Sequence, residues 1–394
     1  MSEWERVRLD EAIALDVDAV PVTATAAYGI VGVLNRGRGL LFRHPIAGDE
    51  TSYKTLNRIR PNQIVYSRLK AFEGAITVAP NDLGEVYASQ EFPTFTCGER
   101  MLPEYFRLLT TTKRLWDQLQ ALSTGMGGRR ERVKPADFLS IEVALPSVTE
   151  QRRIVDVMAA VDAQIEALAK EGDRVSGLLA ALRAELASAA DMRRLGEVLD
   201  VARAGGTPNR KRLDFYGGRI PWLKSGEVNN PDISETEEFL TEAGLDGSSA
   251  WLVPADSVVV AMYGATAGQV GYLRASMATN QAVLALRPKS EAANARFLFH
   301  WLSTRSVSLK QAAVGAAQPN LSKGVVLDRA GFPRMELPEQ MAWVARLDAL
   351  TAQRAAANRE LVGLRALRST LLTALLNQEI EIPESYDALL EEVS

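Results

Sequence analysis

The sequence predicts an α+β fold in which two globular blocks are separated by two long antiparallel helices, as an internal repeat with pseudo-two-fold symmetry. Three observations support this. Two segments are rich in Ala, Leu, Glu, Gln and Arg and nearly free of Pro. Their apolar positions match at a fixed offset of 189 residues. The remaining sequence is rich in Gly, Pro, Val, Thr and Tyr and contains short strand-like runs. The predicted boundaries are 1–144, 145–190, 191–335, 336–378 and an acidic tail, 379–394.

The first block, 1–144, contains strand-like runs at 63–67 and 74–78 and one candidate short helix from Pro103 to Leu119. The second block, 191–335, contains a strand-like run at 257–262 and a candidate short helix from Ala293 to Leu309. Each block then has a Gly-containing polar loop before a long helical segment. This order, block then helix, occurs twice and predicts an internal duplication.

Each long helix begins shortly after a proline, at Pro146 and at Pro338, where a missing N–H costs least. In the first, the apolar positions alternate in steps of four and three, the heptad pattern of a helix packed lengthwise on another helix. These positions are Ile154, Met158, Val161, Ile165, Leu168, Val175, Leu179, Leu182 and Leu186, with Gly172 between. Of the ten equivalent positions in the second helix, eight are apolar, and Arg354 and Arg368 interrupt the pattern. At about 1.5 Å per residue, a helix of roughly 40 residues is about 60 Å long.

The formal net charge of -4 is unevenly distributed. The blocks carry 0 and +3, whereas the first helix region carries -2 and region 336–394 carries -5. Of the 45 basic residues, 35 are Arg, and clusters lie in loops at 129–134 and 210–212. A guanidinium fork binds phosphate and guanine, so these clusters favour a nucleic-acid partner.

Composition argues against several other classes. The single Cys97 excludes an intrachain disulfide framework, and the distant His44 and His300 argue against a His-rich metal site. The charged N-terminus does not resemble a signal peptide, and no run of about 18 uncharged apolar residues predicts a transmembrane helix. We expect a cytoplasmic protein.

Enzymatic motifs are also missing from the sequence. There is no Gly-x-x-x-x-Gly-Lys-Ser/Thr loop, and no lysine has an acidic residue two positions before it. The segment 229–232 (Asn-Asn-Pro-Asp) lacks the second Pro and the aromatic residue of an amino-methyltransferase motif. We therefore expect a chain without catalytic activity and without a bound metal.

Three pieces of the sequence are its most specific motifs. The first is Gly205-Gly206-Thr207-Pro208 followed by Tyr216-Gly217-Gly218-Arg219-Ile220-Pro221-Trp222. The second is Thr51-Ser52-Tyr53-Lys54, Val65-Tyr66-Ser67-Arg68-Leu69, Ser123-Thr124-Gly125 and Leu145-Pro146 with Glu150-Gln151. The third is the repeated Pro, Glu-Gln and long helix, whose second copy, Leu337-Pro338-Glu339-Gln340, has a spacing three residues shorter. Together they resemble the specificity (S) subunit of type I restriction-modification systems. The first piece is similar to the opening of a target-recognition domain, and the second is similar to another recognition-domain subtype.

The resemblance implies that each block is a target-recognition domain reading one half of a bipartite, asymmetric DNA target. It implies that the helices set the gap and dock two modification subunits. Those partners would carry S-adenosylmethionine-dependent adenine methylation, and restriction subunits would add cleavage driven by ATP with Mg²⁺. This chain itself would bind no cofactor. We expect the blocks to contact the duplex about one helical turn, roughly 34 Å, apart.

The predicted DNA-binding residues are basic or polar side chains of the two blocks. They are Arg68, Lys70, Arg129, Arg130, Arg132 and Lys134 in the first block and Arg210, Lys211, Arg212, Arg219, Lys224, Tyr263, Gln318, Asn320 and Lys323 in the second. Two alternatives remain open from the sequence. One is a structural adaptor whose blocks bind proteins, and the other is a methyltransferase with atypical motifs.

Overall fold

The computed structural model describes residues 4–123, 132–229, 231–313 and 320–387. The chain divides into two compact units. Unit 1 comprises Met1–Ala167 and Leu361–Ser394, and unit 2 comprises Leu168–Glu360. Each unit therefore holds one block together with part of each long helix. The α+β class with two sheet-rich domains, predicted from the sequence, is confirmed.

The first block consists of short strands and short helices. Its strands are β1 (Glu5–Arg8), β2 (Ile13–Leu15), β3 (Asp18–Pro21), β4 (Ala27–Tyr28), β5 (Val31–Val33), β6 (Leu40–Phe42), β7 (Ile46–Ala47), β8 (Thr55–Ile59), β9 (Ile64–Tyr66), β10 (Ile76–Val78), β11 (Val86–Ala88), β12 (Thr94–Cys97) and β13 (Glu142–Leu145). Its helices are α1 (Pro103–Leu109), α2 (Lys113–Leu122) and α3 (Pro135–Leu139). The larger sheets have the orders β10-β9-β12-β2 and β11-β8-β3, and the smaller pairs are β1-β13, β4-β7 and β5-β6.

The single helix predicted from Pro103 to Leu119 is wrong, because the structure has two helices, α1 and α2, in its place. Three consecutive threonines separate them. The hydroxyls of Thr110, Thr111 and Thr112 each donate at 2.7 Å to the carbonyl three residues earlier. The Thr112 hydroxyl also accepts from the Leu115 N–H and caps α2. Side-chain hydrogen bonds of this kind compete with the helical ladder, which explains the break.

The second block has two larger sheets. Its strands are β14 (Met192–Arg193), β15 (Leu199–Ala204), β16 (Tyr216–Leu223), β17 (Asp232–Ile233), β18 (Glu238–Leu240), β19 (Leu252–Val253), β20 (Val258–Ala261), β21 (Val270–Leu273), β22 (Met277–Thr279), β23 (Val283–Pro288) and β24 (Phe332–Pro333). Its helices are α5 (Glu242–Asp246), α6 (Ala295–Ala312) and α7 (Lys323–Ala330). The sheet orders are β15-β23-β20-β21-β17 and β18-β16-β22-β19, and β14 pairs with β24.

The two long helices, α4 (Val148–Ala187) and α8 (Leu337–Leu376), each contain 40 residues. In unit 1, Ile154 and Met158 near the start of α4 share a core with Leu372 and Leu375 near the end of α8. In unit 2 the order is reversed, because Leu179 and Leu186 of α4 share a core with Trp343 and Leu347 of α8. Within each unit the helices therefore run antiparallel, as predicted from the two matching helices that each follow a block.

The departure from the apolar pattern at Arg368 has a structural reason. Its guanidinium forms an ion pair with Asp162 of α4 inside unit 1. Hydrogen bonding to Asp162 raises the pKa of Arg368. A directional charge pair thus replaces an apolar contact at this level of the helix pair.

The core of each block is continuous with the core of its helices. In unit 1, buried Tyr105, Phe106 and Phe138 belong to the same cluster as Ile154 and Met158. In unit 2, buried Phe297, Trp301 and Phe332 belong to the same cluster as the helix residues, Trp343 among them. Each block is therefore held on its helices by burial of apolar surface, at roughly 25 cal/mol per Å².

Candidate nucleic-acid interface

The Gly205-Gly206-Thr207-Pro208 segment lies against strand β22 and the loop before β19. A Cβ added to Gly205 would be 1.9 Å from the Thr279 carbonyl oxygen, and one added to Gly206 would be 2.3 Å from the Ala250 nitrogen. The Trp222 indole, which is 1% exposed, donates to the Gly206 carbonyl at 3.1 Å. Both glycines are thus required by close backbone approach. The segment forms a fixed support for the basic residues that follow it.

Arg210 lies on an aromatic platform. Its guanidinium carbon is 4.7 Å from the ring centroid of Tyr216 and 4.9 Å from that of Trp222. The Tyr216 hydroxyl in turn donates to the Pro208 carbonyl at 2.6 Å. Cation–π contacts of this kind hold a guanidinium in one orientation and leave its edge accessible. The Arg210 side chain is accordingly 54% exposed.

Glu238 joins two of the predicted cations. Its carboxylate is 2.6 Å from the Arg210 guanidinium and 3.0 Å from Lys224 Nζ, which also lies 3.1 Å from Glu237. Hydrogen bonding from Arg210, opposed by partial burial and helped by Lys224, lowers the pKa of Glu238. The carboxylate is therefore ionised at neutral pH and neutralises part of the positive charge.

The remaining cations of this segment differ in their pairing. Arg212 forms an ion pair with Asp214 at 2.7 Å and lies 4.4 Å from the Phe215 ring centroid. Lys211 and Arg219 are exposed, and within the described residues their side chains form no hydrogen bond or ion pair. These two side chains are the ones available to phosphate without breaking an existing contact.

Tyr263, Asn320 and Lys323 lie at a neighbouring loop. Tyr263, 39% exposed, forms an isolated antiparallel bridge with Asn320, and the Leu321 N–H donates to the Met262 carbonyl at 2.8 Å. Lys323 is exposed at the start of α7. The Thr266 hydroxyl donates to the Ser225 carbonyl at 2.8 Å, which links this loop to the residue after Lys224. These contacts connect the loop of Tyr263, Asn320 and Lys323 with the residue after Lys224, while Gln318 lies outside the described residues.

In unit 1 the basic candidates gather around Glu91. The Arg68 N–H donates to the Glu91 carbonyl at 2.9 Å, and the Arg68 carbonyl accepts from the Val133 N–H at 3.1 Å. Arg132 Nε donates to the Glu91 carboxylate at 3.0 Å. Lys70 and Lys134 are exposed on the same two segments. Arg129 and Arg130 lie outside the described residues. Backbone pairing therefore joins two segments far apart in sequence into one basic surface.

Sequence reasoning missed the acidic residues that hold these cations. Glu238 lies 28 residues from Arg210 and 14 from Lys224, so sequence spacing gave no signal. The antiparallel pairing of β16 with β18 places Glu238 opposite Trp222 and creates the cluster. Glu91 reaches Arg132 over 41 residues because backbone hydrogen bonds join Arg68 to both Glu91 and Val133. Pairing with these carboxylates determines which basic side chains remain available to bind phosphate.

Replacing Glu238 by Gln should strengthen binding to nonspecific duplex DNA and steepen its salt dependence. The change removes the carboxylate that pairs with Arg210 and one of the two that pair with Lys224. Each additional phosphate contact steepens the slope of log K against log salt by about 0.9. Fluorescence anisotropy of the full chain with a labelled duplex at several salt concentrations measures both effects. Glu235→Gln, at an exposed neighbouring position, removes the same charge and serves as the control. An equal effect of both variants would refute a specific role for Glu238.

Metal-ligating residues are not clustered in the described parts of the chain. No group of three or more His, Cys, Asp or Glu residues within them could hold a metal ion. Burial raises the pKa of the Cys97 thiol to about 12, so it is protonated at neutral pH. None of the described helices is both long and apolar enough to cross a membrane.

Comparison with known proteins identifies one family. The model of the type I restriction modification DNA specificity domain matches residues 1–175 and again residues 188–362. The type I restriction enzyme HindI specificity subunit of Haemophilus influenzae is 21% identical over 412 residues, covering 82% of this chain and 87% of its own. The MjaIX specificity subunit of Methanocaldococcus jannaschii is 27% identical over 155 residues, 38% of this chain. The matched segments span only 28% of an Escherichia coli specificity subunit and 35% of the Methanocaldococcus subunit.

Solved structures agree on the fold. The HsdS subunit from Thermoanaerobacter tengcongensis aligns with a TM-score of 0.55 at 21% identity, covering 96% of this chain and 98% of its own. A chain from a structure addressing complex assembly and conformational transition of the type I R-M system aligns with a TM-score of 0.60, again at 21% identity, covering 96% and 97%. At these identities the likeness concerns the fold alone.

Proposed function

Because the chain belongs to the type I restriction modification DNA specificity family, we propose that its two blocks read the two halves of a bipartite, asymmetric DNA target. The observation that carries this proposal is the duplicated unit with different side chains. Each unit places basic residues on a sheet-rich block, but Arg210 and Lys224 share Glu238 in unit 2, whereas Arg132 pairs with Glu91 in unit 1. Blocks that offer different side chains to a groove read different sequences.

The helices α4 and α8 set the gap between the two half-sites and dock two modification subunits. Their antiparallel packing within each unit, with cores continuous with the blocks, supports the role of a spacer. Exposed apolar side chains at equivalent positions, Leu178 and Leu367, which are 59% and 54% exposed, fit a pair of equivalent protein partners.

The chain itself is non-catalytic in this proposal and binds no cofactor. Modification subunits supply adenine methylation from S-adenosylmethionine, and restriction subunits supply cleavage that depends on ATP and Mg²⁺. The residues of this chain contribute the choice of sequence. Phosphate contacts from Lys211 and Arg219 add affinity, and base contacts from the anchored side chains add specificity.

Exchange of residues 191–335 for the equivalent block of a relative tests the proposal. We expect one half of the methylated sequence to change and the other half to remain, because each block reads its half independently. The reciprocal exchange of residues 1–144 should change the other half. Methylated sites of the reconstituted complex are read by long-read sequencing. A change in both halves after a single exchange, or in neither, would show that the blocks are not independent readers.

A further inference from the structure

Two buried glutamines occupy equivalent positions at the starts of the long helices. Gln151 of α4 and Gln340 of α8 are each 0% exposed and are separated by the repeat offset of 189 residues. A buried amide is stable only where its donors and acceptor are paired. The hydrogen bonds of each glutamine therefore show which backbone segments are joined at the start of each long helix.

Gln151 joins the first block to α4 by three hydrogen bonds. Its Oε1 accepts from the Leu102 N–H at 2.9 Å. Its Nε2 donates to the carbonyls of Arg100, at 2.8 Å, and Pro146, at 3.0 Å. Leu102 is the residue that immediately precedes α1. One amide thus connects the start of α1 with the segment leading into α4.

Gln340 makes the same three contacts in unit 2. Its Oε1 accepts from the Asn294 N–H at 2.9 Å, and its Nε2 donates to the carbonyls of Met335, at 2.9 Å, and Ala292, at 3.3 Å. Asn294 caps α6, accepting from the Phe297 N–H at 3.0 Å. The start of α6 is thus joined to the segment that leads into α8, just as the start of α1 is joined to the segment that leads into α4.

All six contacts are made to backbone atoms, so they do not depend on the side chains of the contacted residues. Leu102 and Asn294 differ completely in chemistry, yet each offers the same N–H. The surrounding apolar core supplies affinity without a preferred direction, whereas hydrogen bonds fix distances and angles. The glutamine amide therefore fixes the orientation of the block on its helix, whereas the apolar core only holds the two together.

We propose that Gln151 and Gln340 are positioning residues that fix the angle of each recognition block on its helix and so restrict the gap between half-sites. The inference rests on the proposed reading of a bipartite target. Without the amide, the block stays docked through its apolar core but gains freedom to tilt. The complex then accepts half-sites at gaps that the intact joint rejects.

The test measures gap preference in the full complex. Gln340→Met and Gln151→Met keep most of the side-chain volume and remove the three hydrogen bonds. Gln353→Met alters an exposed glutamine on the same helix as Gln340 and is the matched control. The chain, assembled with its modification subunits, is given duplexes carrying both half-sites at the natural gap and at gaps one base pair shorter or longer. Methylation rates are compared within each variant.

We expect the preference for the natural gap to fall by about tenfold in Gln340→Met and Gln151→Met and to be unchanged in Gln353→Met; tenfold corresponds to about 1.4 kcal/mol. A uniform loss of rate at every gap, with preference unchanged, overturns the inference, because a merely structural role lowers all rates together. If the unmodified complex methylates no bipartite duplex, the proposed function itself has failed and the inference falls with it.

A second variant keeps part of the hydrogen bonding, and far-UV circular dichroism checks that every variant is folded. In Gln340→Glu, burial keeps the carboxyl group neutral, so it accepts from the Asn294 N–H and can donate one hydrogen bond to a carbonyl where the amide donates two. Its gap preference should lie between those of the unmodified chain and Gln340→Met. A preference equal to that of the unmodified chain would contradict the role assigned to the two donated hydrogen bonds.

Discussion

Replacing Asp348 by Ala is expected to lower the free energy of unfolding of unit 2 by about 1.5–3 kcal/mol, less than the cost of breaking a fully buried ion pair, because the Asp348 side chain is 35% exposed and water screens it. Asp348 lies on α8 and is 2.8 Å from both the Arg296 guanidinium and His300 Nε2. Arg296 and His300 are only 9% and 2% exposed. Without Asp348, a buried guanidinium loses one of its two carboxylates and a buried imidazole loses its acceptor.

The other contacts of Arg296 explain why the residue cannot simply turn to solvent. Its guanidinium is 2.7 Å from Asp232 and lies 4.8 Å and 4.7 Å from the ring centroids of Tyr272 and Phe299. Burial opposes ionisation of Asp348, but hydrogen bonds from Arg296 and His300 outweigh it and lower the pKa of Asp348. The network thus ties β17, α6 and α8 together by directional contacts.

Urea unfolding of the full chain, followed by tryptophan fluorescence, measures the effect of Asp348→Ala. Asp214→Ala is the control, because Asp214 forms an exposed pair with Arg212 and exposed pairs contribute little. We expect the unfolding midpoint of Asp214→Ala to match that of the unmodified chain. A loss below about 1 kcal/mol in Asp348→Ala would show that water replaces the carboxylate, contrary to the buried network described above.

Unit 2 should also lose stability in mild acid, by up to about 3 kcal/mol between pH 6.5 and pH 4. Burial lowers the pKa of His300 to about 4, although its hydrogen bond to Asp348 opposes the change. The unfolded chain, with a histidine pKa of about 6.5, binds the proton more readily in this interval. Stability is therefore fully present above pH 6.5 and declines as the pH falls towards 4, at about 1.4 kcal/mol per pH unit at most.

His300→Gln tests this assignment, because the amide keeps a donor for Asp348 and removes the titrating ring. The groups that face the ring are Asp348, Arg296 and Arg183. The variant should lose less stability between pH 7 and pH 4.5 than the unmodified chain, as measured by urea unfolding at both values. His44→Gln changes the only other histidine, which is exposed, and should retain the full decline. An identical decline in His300→Gln would assign the acid sensitivity to other groups.

The paired long helices and the internal repeat could be predicted from the sequence, because both depend on the periodicity of apolar residues. Heptad spacing from Ile154 to Leu186 predicts a helix packed on a helix, and the 189-residue offset predicts a second copy. Arg368 is visible in the sequence as a break in the apolar heptad pattern of the second helix, but its partner Asp162 lies 206 residues away. Identifying that pair requires the antiparallel register of α4 and α8.

The candidate site could be predicted only in part. Composition marks the Arg-rich loops, and the Gly205-Gly206-Thr207-Pro208 segment before Arg210 resembles the opening of a target-recognition domain. Whether a basic side chain is paired with a carboxylate depends on strand pairing, which brings Glu238 to Arg210 and Lys224. The contacts of Gln151 and Gln340 could not be predicted for the same reason. The Glu-Gln repeat is visible in the sequence, but four of the six backbone partners of these glutamines lie 46 to 51 residues away in the block.

Long-read methylome sequencing of cells with and without this gene tests the central claim most directly. The cells must retain the genes for the modification subunits, so that only the choice of sequence is removed. We predict that adenine methylation at one bipartite, asymmetric motif disappears on deletion and returns when the gene is restored. An adenine methylation pattern that is unchanged by deletion would contradict the claim that this chain selects the methylated sequence.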